Sequence, residues 1–148
     1  MSYYHILAPV DCTDDALRAM LPLLQYASKM PCCKVTLAAA VTPAPTAKIR
    51  EKKREHAQGA LNRLHDYLSS FGLFTFQRIV EARDPADAYV AETRDYDEQY
   101  DVIVLSPYQT RPEDPFDLPC TGSLADRISK NAEIPVVILP YRQERMPL

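Results

Sequence analysis

The last third of the chain constrains the fold most, because it spells out a strand, a loop, a helix start and another strand in succession. "DVIVLS" carries a short β-branched apolar run from Asp101 to Leu105, the composition of a parallel strand covered on both faces. A polar loop follows, Thr121, Gly122 and Ser123 then open an amphipathic helix, and Pro135 to Pro140 is a second apolar run. Strand, helix and strand in that order form a right-handed crossover unit. The helix start offers unpaired N–H groups and the positive end of a dipole, which suit an anion such as phosphate.

The same alternation fills the rest of the chain. Tyr4 to Val10 reads as a first strand, stopped by Asp11, Cys12, Thr13, Asp14 and Asp15, with Thr13 as helix N-cap. Leu17, Met20, Leu21, Leu24 and Ala27 then recur at helical spacing, and Pro22 is expected to kink that helix. Lys34 to Val41 is a second strand, with Pro43 and Pro45 forcing an extended link after it. A long helix places Ala57, Ala60, Leu61, Leu64, Tyr67, Leu68 and Phe71 on one stripe, and Gly72 ends it. Phe74 to Val80 is a third strand. Asp84 before Pro85 marks an N-cap and first helical position, and that third helix is expected to run to about Tyr96.

Strands at about 4–10, 34–41, 74–80, 101–106 and 135–140, separated by helices, predict an α/β fold over 1–148: one domain with a three-layer, doubly wound, five-stranded parallel sheet. Ligands on such sheets bind beyond the carboxyl ends of the strands, where strand order reverses.

Composition narrows the function. A length of 148 residues with 47% hydrophobic content suits a single packed domain, and a net charge of −3 supplies no basic field for nucleic acid or anionic lipid. No apolar run reaches membrane-spanning length, "MSYYHILAPVD" reads as a strand, and four cysteines make no disulfide framework. A cytoplasmic chain with reduced thiols is expected; Cys32 and Cys33 are read as buried or half-buried. Hydrolase, P-loop, Cys-x-x-Cys and zinc-protease motifs are absent, and His5, His56 and His65 lack metal-ligand spacing. The expectation is therefore no catalytic residue and no metal, and binding or regulation in preference to turnover. Lys48, Arg50, Lys52, Lys53 and Arg54, interrupted by Glu51 and Glu55, read as a solvated helix face, with an anion or partner site as the minor alternative.

"ILAPVDCTDDALRAM", "VTLAAAV", "DVIVLS" and "GSLADRISKNAEIPVVILP" together resemble the universal stress protein family along nearly the whole chain. The resemblance implies a Rossmann-like sheet in the order 3-2-1-4-5, of the adenine nucleotide alpha hydrolase type, and a homodimer paired through strand 5. It also implies, for many members, ATP held by an aspartate after strand 1, backbone after strand 2, and a G-x2-G-x9-G-[ST] loop after strand 4. Here Asp11 matches the aspartate, Val41 the strand-2 position, and Gly122 and Ser123 the closing pair. Ser106 and Gln109 replace the first two glycines, and twelve residues instead of nine separate Gln109 from Gly122. That loop adds three prolines and the acids Glu113, Asp114 and Asp117, and Arg83 stands where many relatives have glycine. Serine, glutamine and proline neither permit the backbone approach that glycine allows nor attract a triphosphate.

The resemblance therefore implies a regulatory stress protein without ordinary ATP binding, whose small-molecule site, if used, comprises Asp11, Val41, Ser106, Gly122 and Ser123. A nucleotide module taking ATP or AMP through a remodelled loop is one alternative. A redox sensor using Cys12 and Cys120 is another, since both precede helix starts that stabilise a thiolate. Asp11 serves equally as a turn cap, and Gly122-Ser123 reads first as a plain helix start, with phosphate binding second. Phe116 and Leu118 are expected to fold over the carboxyl end of the sheet and fill part of the nucleotide space.

Overall fold

The computed structural model describes residues 3–10, 23–95, 98–105 and 123–139. Asp11, Cys12, Ser106, Phe116, Leu118, Cys120 and Gly122 lie outside the described residues, as do Thr13 and Pro22. The elements follow in the order β1 (Tyr4–Pro9), helical residues 23–28 (α1), β2 (Cys33–Val41), α2 (Ala47–Ser69), β3 (Phe74–Glu81), α3 (Pro85–Thr93), β4 (Val102–Leu105), α4 (Ser123–Asn131) and β5 (Val136–Ile138). The strands form one five-stranded sheet ordered β3-β2-β1-β4-β5, and every pairing is parallel. Tyr4 sits opposite Cys33, Ile6 opposite Val102, Lys34 opposite Phe74 and Ile103 opposite Val136.

Alternation along the strands sends side chains to two cores. Ile6, Ala8, Val35, Leu37, Ala39, Val102 and Val104 pack with Leu23 and Ala27 of α1 and with Ala57, Leu61, Leu64 and Leu68 of α2. On the opposite face Leu7, Ala38, Ile103 and Leu105 pack with Ala86, Tyr89 and Val90 of α3 and with Ala125 and Ile128 of α4. Central strands covered on both sides need apolar residues at every position, which is why β4 reads as an unbroken "VIVL".

Local chemistry sets the helix ends. Thr46 caps α2 by accepting the Ile49 N–H at 3.2 Å, and Asp84 caps α3 by accepting the Ala86 N–H at 3.1 Å, with Pro85 following as expected. Gly72, at φ 86°, closes α2: its N–H reaches the Ser69 carbonyl at 2.9 Å and that of Leu73 reaches Leu68 at 3.3 Å. That pair of bonds is the Schellman arrangement, and it needs a left-handed residue at Gly72.

Several sequence expectations need correction. Phe71 is 58% exposed, because it falls in the closing turn after the last helical residue, where its ring meets that of Tyr67 edge-on. In α1 the expected Leu24 and Ala27 do reach the core, Leu24 half-buried, but Leu23 beside them is buried more deeply, at 1%. The α3 helix stops at Thr93, short of Tyr96, with Arg94 as its C-cap. β5 spans only Val136–Ile138, shorter than the 135–140 expected, and its Ile138 is 46% exposed. Cys33 is buried, but Cys32 is exposed, in a left-handed turn residue at φ 53°. β3 is an edge strand, and its Phe74 and Phe76 stack at 5.1 Å between centroids yet remain exposed.

Candidate functional site

Strand order reverses at β1, which has β2 on one side and β4 on the other, so the crevice expected to take ligands lies beyond the carboxyl ends of β1 and β4. Val10 and Leu105, the chain neighbours of Asp11 and Ser106, stand at those ends. The Val10 N–H donates to the Ala38 carbonyl at 2.8 Å, and the Leu139 N–H to the Leu105 carbonyl at 2.9 Å, which ties the strand ends together. Ser123 is the first residue of α4. Val41 ends β2, with its side chain buried in the α2-facing core and its carbonyl accepting the Ala82 N–H at 3.2 Å. Of the five residues expected from sequence, Val41 and Ser123 are thus described, at the carboxyl end of β2 and the amino end of α4.

Beside Val41 lies a groove that the sequence reading missed. Ala40, Val41 and Thr42 form one wall, and Ile49, Lys52, Lys53, His56 and Ala57 of α2 form the other, enclosing about 370 Å³. The signal was present in the spacing: positions 49, 52, 53, 56 and 57 continue the buried α2 stripe of Ala57, Ala60, Leu61, Leu64 and Leu68 toward the N-terminus. Counting charges along the chain concealed it, since the lysines belong to a run of five cations.

The run lies on a solvated helix face, as expected, with Lys48, Arg50, Lys52 and Arg54 exposed and Lys53 half-buried, but its members have different partners. Arg50 holds Glu81 through two bonds of 2.8 Å, and Arg54 Nε adds a third at 3.2 Å. These guanidinium groups, Arg50 first, pull the Glu81 carboxyl down to about 2. Lys53 turns the other way, and its Nζ donates to Thr42 Oγ1 at 3.0 Å on the groove rim.

A second polar cluster occupies the amino end of the sheet. His5 is 1% exposed, with Nδ1 at 2.9 Å from the Gln99 carbonyl and Nε2 at 2.7 Å from Thr36 Oγ1. A carbonyl can only accept, so Nδ1 carries the proton and the Thr36 hydroxyl donates to Nε2. The ring lies 4.2 Å from that of Tyr100, whose hydroxyl donates to buried Glu92 at 3.2 Å. Arg78 closes the cluster, with Nε 3.0 Å from the same Glu92 carboxylate oxygen. Burial drives the His5 pKa below the ordinary histidine value, against smaller upward pulls from the Gln99 bond and from the Glu98 and Asp101 charges. Burial likewise pushes the Tyr100 hydroxyl far above the usual phenol range.

Among the described residues, no three His, Cys, Asp or Glu side chains converge as metal ligands, and no helix is long and apolar enough to cross a membrane.

The fold defines a class. Universal stress protein UspA from Lactobacillus plantarum superposes with a TM-score of 0.74 at 19% identity, over 95% of this chain and all 100% of that one. A universal stress family protein from Burkholderia pseudomallei matches at 0.71 and 21% identity, over 94% and 97% of the two chains. The Archaeoglobus fulgidus universal stress protein in complex with dAMP matches at 0.70 and 18% identity, over 95% and 100%. No family model and no curated protein matches the sequence. By fold, this chain is a universal stress protein-like α/β domain, as the resemblance in its strand and helix segments implied.

Proposed function

We propose that this chain is a cytoplasmic, homodimeric regulatory protein of the universal stress type, which acts by binding and not by turnover and has no ordinary ATP site. The observation that carries the reading is the β3-β2-β1-β4-β5 sheet with its reversal at β1, combined with a sequence that lacks the first two loop glycines and adds acids there. Each lost N–H contact and each nearby carboxylate disfavours a polyanion. A nucleotide-binding module is the second reading, supported by the fold match to a protein that holds dAMP. In either case Asp11, Val41, Ser106, Gly122 and Ser123 form the proposed site.

Calorimetry separates the two. The first reading expects no stoichiometric ATP in purified protein and only weak binding of ATP with magnesium. Micromolar affinity that disappears in Asp11→Asn or in Gly122→Ala would establish the nucleotide module instead.

Homodimerisation through β5 is part of the proposal. An edge strand exposes a row of unpaired N–H and C=O groups, and two copies related by a two-fold axis can pair such edges antiparallel. Val137 packs on the α2-facing core, so a charge there would damage the protomer itself. Ile138 is the better probe, because it is already 46% exposed. Ile138→Lys is expected to convert dimers into monomers while leaving the thermal midpoint of the protomer close to wild type. Sedimentation of the wild type as a monomer at tens of micromolar would sink the dimer.

A further inference from the structure

The groove between β2 and α2 has a composition that a plain helix overhang does not require. α2 has 23 residues, about 34 Å at 1.5 Å per residue, and the residues it buries fully are all alanine and leucine. Its first turns pass the end of β2, and there the same stripe carries Ile49, Lys52, Lys53 and His56. The base of the groove is aliphatic, from Ala40, Val41 and Ala57, and Ile49 stands 42% exposed at its edge. No carboxylate is among the described lining residues.

The charge balance points the same way. Arg50 and Arg54 share the single Glu81 carboxylate, which offsets one of their two charges, whereas Lys52 and Lys53 form no ion pair among the described residues. The Thr42 bond anchors the Lys53 ammonium on the rim, and an ammonium has three protons, so two remain for another acceptor. An apolar floor with two uncompensated cations above it complements a molecule of mixed character. The volume of about 370 Å³ lies at the small end of ligand pockets.

We propose that this groove binds a small organic anion: a compact apolar body against Val41, Ile49 and Ala57, with one carboxylate or phosphate monoester between the ammonium groups of Lys52 and Lys53. The groove shares Val41 with the five-residue site proposed above, and its other described lining comes from the end of β2, Thr42 and α2.

The test is calorimetric titration of the full chain with octanoate and with phenyl phosphate, beside octan-1-ol and phenol as uncharged counterparts. At least one anion is expected to saturate, and its uncharged counterpart to bind about tenfold more weakly or worse, the scale of one or two charge-assisted bonds. Octanoate alone binding would identify a carboxylate ligand, phenyl phosphate alone a monoester, and both would mean that the groove reads charge and shape only. The Lys52→Glu/Lys53→Glu pair should weaken binding by at least about tenfold with the thermal midpoint unchanged. Ile49→Trp, which fills the groove without altering charge, should also abolish it. Lys48→Glu makes the same kind of charge change outside the groove and should leave affinity within about twofold. Failure of both anions to bind overturns the proposal. So does equal binding by the uncharged compounds, or an equal loss in Lys48→Glu, which would reveal a bulk charge effect.

Discussion

His5→Leu is expected to destabilise the protein by about 2–4 kcal/mol and to flatten its stability profile in mild acid. The leucine leaves the Gln99 carbonyl and the buried Thr36 hydroxyl without the ring nitrogens that meet them at 2.9 and 2.7 Å, and each orphaned polar group costs about 1–3 kcal/mol. The pH effect follows from the direction of the histidine shift. Unfolded histidine titrates near 6.5, and burial holds the folded value lower. Below about pH 6.5 the unfolded chain therefore binds the extra proton first. The stability that neutral His5 contributes is complete above that pH and declines as pH falls toward the folded value. The charged groups facing the ring do not reverse this: Lys34 opposes protonation, while Glu98 and Asp101 favour it more weakly than burial opposes it. Urea denaturation of both proteins at pH 7.5, 6.5 and 5.5 measures the difference. Parallel slopes for wild type and variant would show that His5 is not the titrating group.

Leu61→Ala should cost about 3 kcal/mol and lower the melting midpoint by roughly 6–12 °C. Leu61 is wholly buried between α2 and the sheet, in the cluster with Leu37, Leu64 and Val35, so truncation loses transfer energy and opens a cavity. Phe71→Ala, by contrast, should change stability by less than about 0.5 kcal/mol, because its ring is mostly in water. Both residues belong to the same apolar stripe in the sequence, and thermal unfolding of the two variants distinguishes membership of the stripe from membership of the core. A Phe71→Ala loss as large as that of Leu61→Ala would mean that the closing turn of α2 packs more tightly than its exposure indicates.

The elements themselves were legible in the sequence because their signals are local. A period near 3.6 over Ala57 to Leu68 and the unbroken apolar "VIVL" of β4 each report burial within a single element. Asp84 followed by Pro85, and Gly72 after the long helix, work through bonds spanning a few residues, so helix boundaries near them fell close to the observed ones. Even so, the 3.6-residue pattern carried Phe71 into the core, since periodicity does not register that the helix has ended.

The tertiary structure decided whatever depends on residues far apart in the chain. His5 was only a histidine in or beside a strand until strand order brought it to Thr36, 31 positions away, and to Gln99, 94 positions away. The basic run was one charged face until the β2–β3 register placed Glu81 beside Val41 and within reach of Arg50 and Arg54. That pairing tied both guanidinium groups to one carboxylate and left Lys52 and Lys53 beside an apolar groove. Burial along one element follows from a repeating pattern that a short window of sequence contains. The partner of a buried imidazole or a surface guanidinium is set by sheet order and register, to which every strand contributes and which no short window contains.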